Sequence, residues 1–154
     1  MKNKFTIQER TELAEMLPSF ALLNQLYSDL TPERYEALLK ETIPHNYKQI
    51  TVHDKEKMVG VCGYWIATKI WCGKYLELDN VVVHESYRSK GIGKIMTDYL
   101  LQKAKKEGCN MLGLDVYTDN FKGVKFYMNQ GYVPRGFHMI NVLNGSYGGY
   151  DGSN

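Results

Sequence analysis

Between Val81 and Glu107 the chain reads as three valines, a polar and basic loop with two glycines, and an amphipathic helix. No other passage constrains the fold as much. A strand delivers the chain into Arg88-Ser89-Lys90-Gly91-Ile92-Gly93-Lys94. From there Ile92, Ile95, Met96, Tyr99, Leu100 and Lys103 share one helical face, and Gly108 stands where a C-terminal cap belongs. Such a unit presents backbone N–H groups at a helix N-terminus, where the macrodipole and the unpaired donors favour an anion. Gly91 and Gly93 let a phosphate approach the backbone, and Arg88, Lys90 and Lys94 add positive charge around it. A pyrophosphate would be held mainly by N–H groups.

The flanks suggest what surrounds this unit. Phe5-Thr6-Ile7 reads as a short opening strand, and a helical stripe from Glu9 to about Tyr27 is broken at Pro18. Thr31 caps a second helix with Pro32 at its first position, running to about Thr42. Three strands follow, Tyr47 to Val52, Val59 to Trp71 and Tyr75 to Val83, joined by short turns as an antiparallel meander. After the glycine loop come a strand from Met111 to Tyr117, a helix from Phe121 to Gln130 closed by Gly131, and a strand from Tyr132 onward. Residues 1–143 read as one domain, and Asn144 to Asn154 as a Gly-rich tail.

Composition excludes several classes. The 154 residues leave room for one core, and a formal charge of +2 gives no reason to expect a nucleic-acid or membrane partner. The start lacks an apolar signal region and no apolar run would cross a bilayer, so a cytoplasmic location is expected. Cys62, Cys72 and Cys109 are odd in number and form no C-x-x-C, and the four histidines are scattered, so neither disulfides nor a metal site are expected.

Two common phosphate loops fail at this site. A Walker loop would need glycine at Arg88 and Ser or Thr at Ile95; a dinucleotide fingerprint would need glycine at Met96. Taken alone, the glycines read first as a tight turn into a helix. The run Arg88-x-x-Gly91-x-Gly93 after an apolar strand, however, resembles motif A of the GNAT superfamily of N-acetyltransferases. Asn120-x-x-Gly123-x-x-Phe126-Tyr127-x-x-x-Gly131-Tyr132 looks like that family's motif B, in the same order and separation. The resemblance covers roughly residues 47–140, with Gly123 where alanine is usual and Tyr132 in place of Phe. It implies an α/β (α+β) fold with a mixed, mostly antiparallel sheet of six to seven strands and about four helices. It also implies an acetyl-CoA-dependent N-acetyltransferase.

The roles that follow are implied by the resemblance. The pantetheine arm of acetyl-CoA would pair with the backbone of Val81, Val82 and Val83, and the pyrophosphate would sit on the loop from Arg88 through Ser89, Lys90, Gly91, Ile92 and Gly93 to Lys94. A backbone N–H of the valine strand would meet the oxyanion. Tyr127 would protonate the departing thiolate. Asn120 would cap its helix, bond the cofactor, or do both. Strand alternation puts Tyr75, Glu77 and Asp79 on one face unless a bulge intervenes. Glu77 precedes Arg88 by eleven residues, a spacing at which some protein-acetylating members carry a general-base glutamate. A second carboxylate roughly 7 Å along the strand would raise one member's pKa and help it take the amine's proton. The pair reads equally as a cationic-substrate site or a solvated strand face. Tyr27, Tyr35, Tyr64, Trp65 and Trp71 are candidates for the acceptor wall, most of them expected in the core. A small-molecule amine is the first acceptor reading and a protein lysine or N-terminus the second; a non-catalytic acyl-CoA-binding module is a third possibility. Homodimerisation is common in the family and stays open here.

Overall fold

The structure is a computed structural model and describes residues 4–145. These fall into two compact units, one ending at Leu114 and one beginning at Asp115. The first holds a five-stranded sheet in the order β1-β2-β3-β4-β5. Strands β1 (Thr6–Arg10), β2 (Tyr47–Asp54), β3 (Lys57–Lys69) and β4 (Gly73–Val83) form the expected antiparallel meander, and β5 (Met111–Leu114) joins β4 in parallel. The mixed, mostly antiparallel α+β class is as expected, with five strands among the described residues instead of six or seven. No strand forms from Tyr132 to Gly145; Val133, Phe137, Met139 and Leu143 stay exposed there, so no apolar burial orders the backbone into a ladder. The expected tail lies outside the described residues from Ser146 onward.

The first expected helix starts later than its periodicity suggests. Glu9 and Arg10 are in β1, where the Glu9 carboxylate accepts from Tyr99 at 2.7 Å and pairs with Lys103 at 2.8 Å. Helix α1 (Leu13–Met16) opens instead with a capping box between Glu12 and Glu15. Pro18 lies in a 3-10 turn between α1 and α2 (Phe20–Leu23), the expected break. Helix α3 (Pro32–Thr42) has Thr31 as its cap, the hydroxyl accepting from Arg34 N–H at 3.2 Å.

Two cores sit on opposite faces of the sheet. One packs Ile92, Met96, Leu100 and Ala104 of α4 (Ile92–Lys106) on Ile50, Val52, Val59, Leu76 and Leu78. The other packs Met16, Leu22, Leu23, Tyr35 and Leu39 on Tyr47, Val61 and Val82. A Cβ at Gly60 would stand 2.8 Å from Ile92 Cγ2, so its lack of a side chain lets the start of α4 lie close on β3.

The second unit holds α5 (Phe121–Met128), closed by Gly131 at φ 89°. His138 Nδ1 lies 2.8 Å from Asp115 Oδ2, tying the later segment to the unit's first residue.

Candidate active site

Strand β4 changes parity at its centre. Asp79 pairs with Gly63 and Val82 with Val61, so β4 spends one residue more than β3 between these pairs. Asn80 takes up the surplus at φ 51°. Before this bulge Leu76 and Leu78 face the α4 core, and beyond it Val81 and Val83 do. Glu77 and Asp79 therefore share the opposite face, as alternation requires, and Val82 joins them. At the same point β4 parts from β5, whose last pairing is Leu78 with Leu114. From Asp79 to Val83 one edge of β4 bonds β3, and the other has no partner strand among the described residues.

Val81, Val82, Val83 and Arg88 line a cleft of about 170 Å³ together with Gln25 and Leu26. The strand runs on through a short helical turn, Glu85–Tyr87, into Ser89 at φ 60° and Gly91 at φ 82°. Gly91 is the N-cap of α4 and brings no side chain to it. The N–H groups of Ile92, Gly93 and Lys94 have no acceptor among the described residues, while Ile95 N–H already bonds Gly91 O at 3.0 Å. An extended thread with an anionic end can lie here, its amides on β4 and its charge at the open turn of a 15-residue helix.

The three basic side chains differ in their engagements. Lys94 is drawn to Asp98, one turn on, at 2.6 Å, so what it offers an anion is its backbone N–H. Lys90 lies over the Tyr87 ring, 4.6 Å from its centroid. Arg88 lines the cleft itself.

Across the sheet, Asp79 Oδ2 accepts from Trp65 Nε1–H at 3.2 Å, and Glu77 stands 3.9 Å from the Lys69 ammonium. Each carboxylate thus has its own partner. Beside them runs a polar chain that sequence reading missed. Tyr47 O–H donates to Asn80 Oδ1 at 2.9 Å, Gln49 Nε2–H to the Tyr35 and Tyr47 oxygens at 2.9 and 3.2 Å, and Tyr35 O–H to Met16 O at 3.0 Å. Burial pushes the Tyr35 and Tyr47 phenols up, so both keep their protons at neutral pH. A Cβ at Gly63 would fall 2.3 Å from the Tyr47 oxygen; glycine there is what lets Tyr47 cross β3. The available signal was Asn80, a turn-forming residue between Asp79 and three valines. Of the candidate wall aromatics, Tyr35 and Tyr64 are buried, Trp71 is exposed on the β3–β4 turn, and Tyr27 and Trp65 stand beside Asn80 and Asp79.

Asn120 and Tyr127 belong to the second unit. Asn120 caps α5, its Oδ1 accepting from Gly123 N–H at 3.0 Å. A Cβ at Gly123 would stand 2.6 Å from Asn120 Nδ2, so the glycine makes room for the cap within its own motif. Tyr127 is half-buried on α5, edge-on to Phe126 and Tyr132 at 5.0 and 5.6 Å.

A model of the acetyltransferase (GNAT) family matches residues 14–132. The chain belongs to the GNAT family. Acetyl transfer is the chemistry of that family, and the chain is an acyltransferase by membership. It is 23% identical over 125 residues to an uncharacterized N-acetyltransferase, YhdJ, of Bacillus subtilis (strain 168), covering 80% of this chain and 88% of that one. The fold is shared with glucosamine-6-phosphate N-acetyltransferase from Arabidopsis thaliana, at a TM-score of 0.70 and 23% identity over 91% of this chain and 99% of that one. It is shared too with an aminoglycoside N-acetyltransferase solved in complex with CoA, at a TM-score of 0.76 and 15% identity, covering 93% and 98%. Among the described residues no helix is long and apolar enough to cross a membrane, and no group of His, Cys, Asp or Glu is arranged to hold a metal ion.

Proposed function

We propose that this GNAT chain moves an acetyl group from acetyl-CoA to a primary amine of a small molecule by direct attack in a ternary complex. One observation carries the donor: the β4 edge left open beyond Leu78 leads straight to the uncapped first turn of α4. Backbone groups of Val81, Val82 and Val83 pair with the pantetheine arm. The N–H groups of Ile92, Gly93 and Lys94 hold the pyrophosphate, with Arg88, Ser89, Lys90 and Gly91 shaping the loop. Residues 1–143 work as one domain, in the cytoplasm, without a metal.

The amine's lone pair attacks the thioester carbonyl, and the C–S bond breaks as the tetrahedral intermediate collapses. A backbone N–H of the Val81–Val83 segment meets the oxyanion. The proton lost by the amine goes to Glu77 or Asp79, and Tyr127 supplies the one taken up by the thiolate, with Asn120 holding the start of α5. A thiol of pKa near 8.5 leaves readily, so the Tyr127 proton assists and is not indispensable. The small-molecule acceptor is supported by the names of the structural relatives, which act on an amino sugar phosphate and on aminoglycosides.

The test is a thiol-release assay with acetyl-CoA across polyamines, aminoglycosides, amino sugars, amino acids and peptides. Turnover with a small amine is expected. Turnover confined to peptides would move the acceptor to proteins, and tight CoA binding with no turnover at all would leave a binding module. With the amine that reacts, Glu77→Gln separates base from binding: a base lowers kcat, whereas a binding carboxylate raises only the amine's KM.

A further inference from the structure

We propose that Asn80 is a positioning residue of the cofactor cleft, latching the loop after α2 to the β4 edge through Tyr27 and so fixing the width of the cleft. The inference rests on reading that cleft as the acyl-CoA site. Asn80 occupies the bulge at φ 51°, a conformation asparagine tolerates better than other side-chain-bearing residues. Both ends of its carboxamide are used. Oδ1 accepts from Tyr47 O–H at 2.9 Å, and Nδ2–H donates to the Tyr27 oxygen at 2.8 Å.

The two tyrosines differ in what holds them. Tyr47 is part of the sheet, buried, bonded by Gln49 and packed on Trp65 at 5.1 Å between ring centroids. Tyr27 is 42% exposed and lies in the loop from Asn24 to Leu30. The Asn24 side chain stiffens that loop by donating to Tyr27 O at 3.2 Å and Leu30 O at 3.1 Å. Gln25 and Leu26, within the same turn, line the cleft together with Val81, Val82, Val83 and Arg88. A loop stiffened from within moves as one piece, so whatever anchors Tyr27 places Gln25 and Leu26. The anchor stands one residue before Val81, at the point where β4 leaves β5. A single carboxamide therefore joins the sheet, the bulge and the loop that carries Gln25 and Leu26.

The test compares Tyr27→Phe, Asn80→Gly and the double variant. Tyr27→Phe removes one hydroxyl from a half-exposed ring, and Asn80→Gly keeps the positive φ while removing the carboxamide. The readouts are the CoA Kd by calorimetry, the acetyl-CoA KM and kcat, and Tm. Tyr27→Phe is expected to weaken CoA and raise the acetyl-CoA KM about fivefold, the worth of one hydrogen bond, with kcat and Tm nearly unchanged. The double variant is expected to bind CoA no more weakly than the weaker single, because both substitutions cut one link. Wild-type Kd and KM in Tyr27→Phe, or losses that add in full, would overturn the latch while leaving the cofactor reading intact. Failure of the unaltered chain to bind CoA would remove both.

Discussion

The two faces of the sheet are built on different principles. The α4 face is apolar over most of its buried set: Ile50, Val52, Val59, Leu76 and Leu78 meet Ile92, Met96, Leu100 and Ala104. Its polar groups are few: buried Thr97 donates to Lys94 O within its own helix, Tyr64 buries a hydroxyl, and the contact between Glu9, Tyr99 and Lys103 lies at the rim. The α1–α3 face buries Ser19, Gln49, Thr51 and His53 among its hydrophobic residues, with Gln49 bonded to two tyrosine hydroxyls and Thr51 to His53. The first face is held by volume, which is tolerant of direction; the second depends on donors meeting acceptors, which is not. The candidate carboxylates and the bulge belong to the directional face, and the α4 helix supplies a firm backing for the loop.

Substitutions can break that contrast. The largest effect is expected from Leu100→Ala, about 3 kcal/mol for a fully buried leucine opposite β2–β4, read as a lowered urea midpoint. Both KM values should hold at a temperature where the variant is folded, and a shifted KM would mean that the backing face also shapes the site. Gln49→Leu should cost less, about 1–2 kcal/mol, because it removes two hydrogen bonds but also the buried Oε1, which has no partner among the described residues. Unlike the leucine change it should alter the amine's KM, since it frees Tyr47 beside Asn80 and Asp79. A silent Gln49→Leu would erase the distinction between the faces.

The smallest effect is one of pH. Burial, with Arg10 adding to it, holds the His53 imidazole below its ordinary value of 6.5. Above that value the ring is neutral in both folded and unfolded chains. As pH falls through it the unfolded chain takes up a proton that the folded chain refuses, so stability declines on acidification until the folded value is reached. His53→Gln should shrink the fall in Tm between about pH 7.5 and about pH 5.5. An undiminished fall would assign the acid sensitivity in this window to groups other than His53, and the Glu9 carboxyl is not one of them. Bonds from Lys103 and Tyr99 outweigh burial and hold that carboxyl low, so its contribution fades at more acidic pH.

What the sequence made legible follows from local chemistry. Thr31-Pro32 fixed the start of α3, and the glycine loop fixed the start of α4, because caps are decided by neighbouring residues. The first helix was misplaced because Glu9 fits a helical stripe as well as a strand, and its partners Tyr99 and Lys103 are some 90 residues away. Alternation paired Glu77 with Asp79, yet it could not say that Val81 and Val83 would rejoin the Leu76 and Leu78 face. That requires the surplus residue at Asn80, which is set by pairing with β3. The polar chain from Asn80 to Met16 was invisible for the same reason: it joins α1, α3, β2 and β4 through side chains with no periodic signature.

Gly60 has a bearing on the loop that its place in β3 conceals. Lysine and arginine charges swing on long stems, but the partial positive charge at the start of α4 is as well located as the helix itself. Ile92 and Met96 rest against bare backbone at Gly60, and atoms in contact give way by only tenths of an ångström. The glycine works as a mechanical stop, gauging how far the helix's electrostatic focus stands from the strand edge. A methyl group there would leave every charge in the loop unchanged and still put that focus out of register.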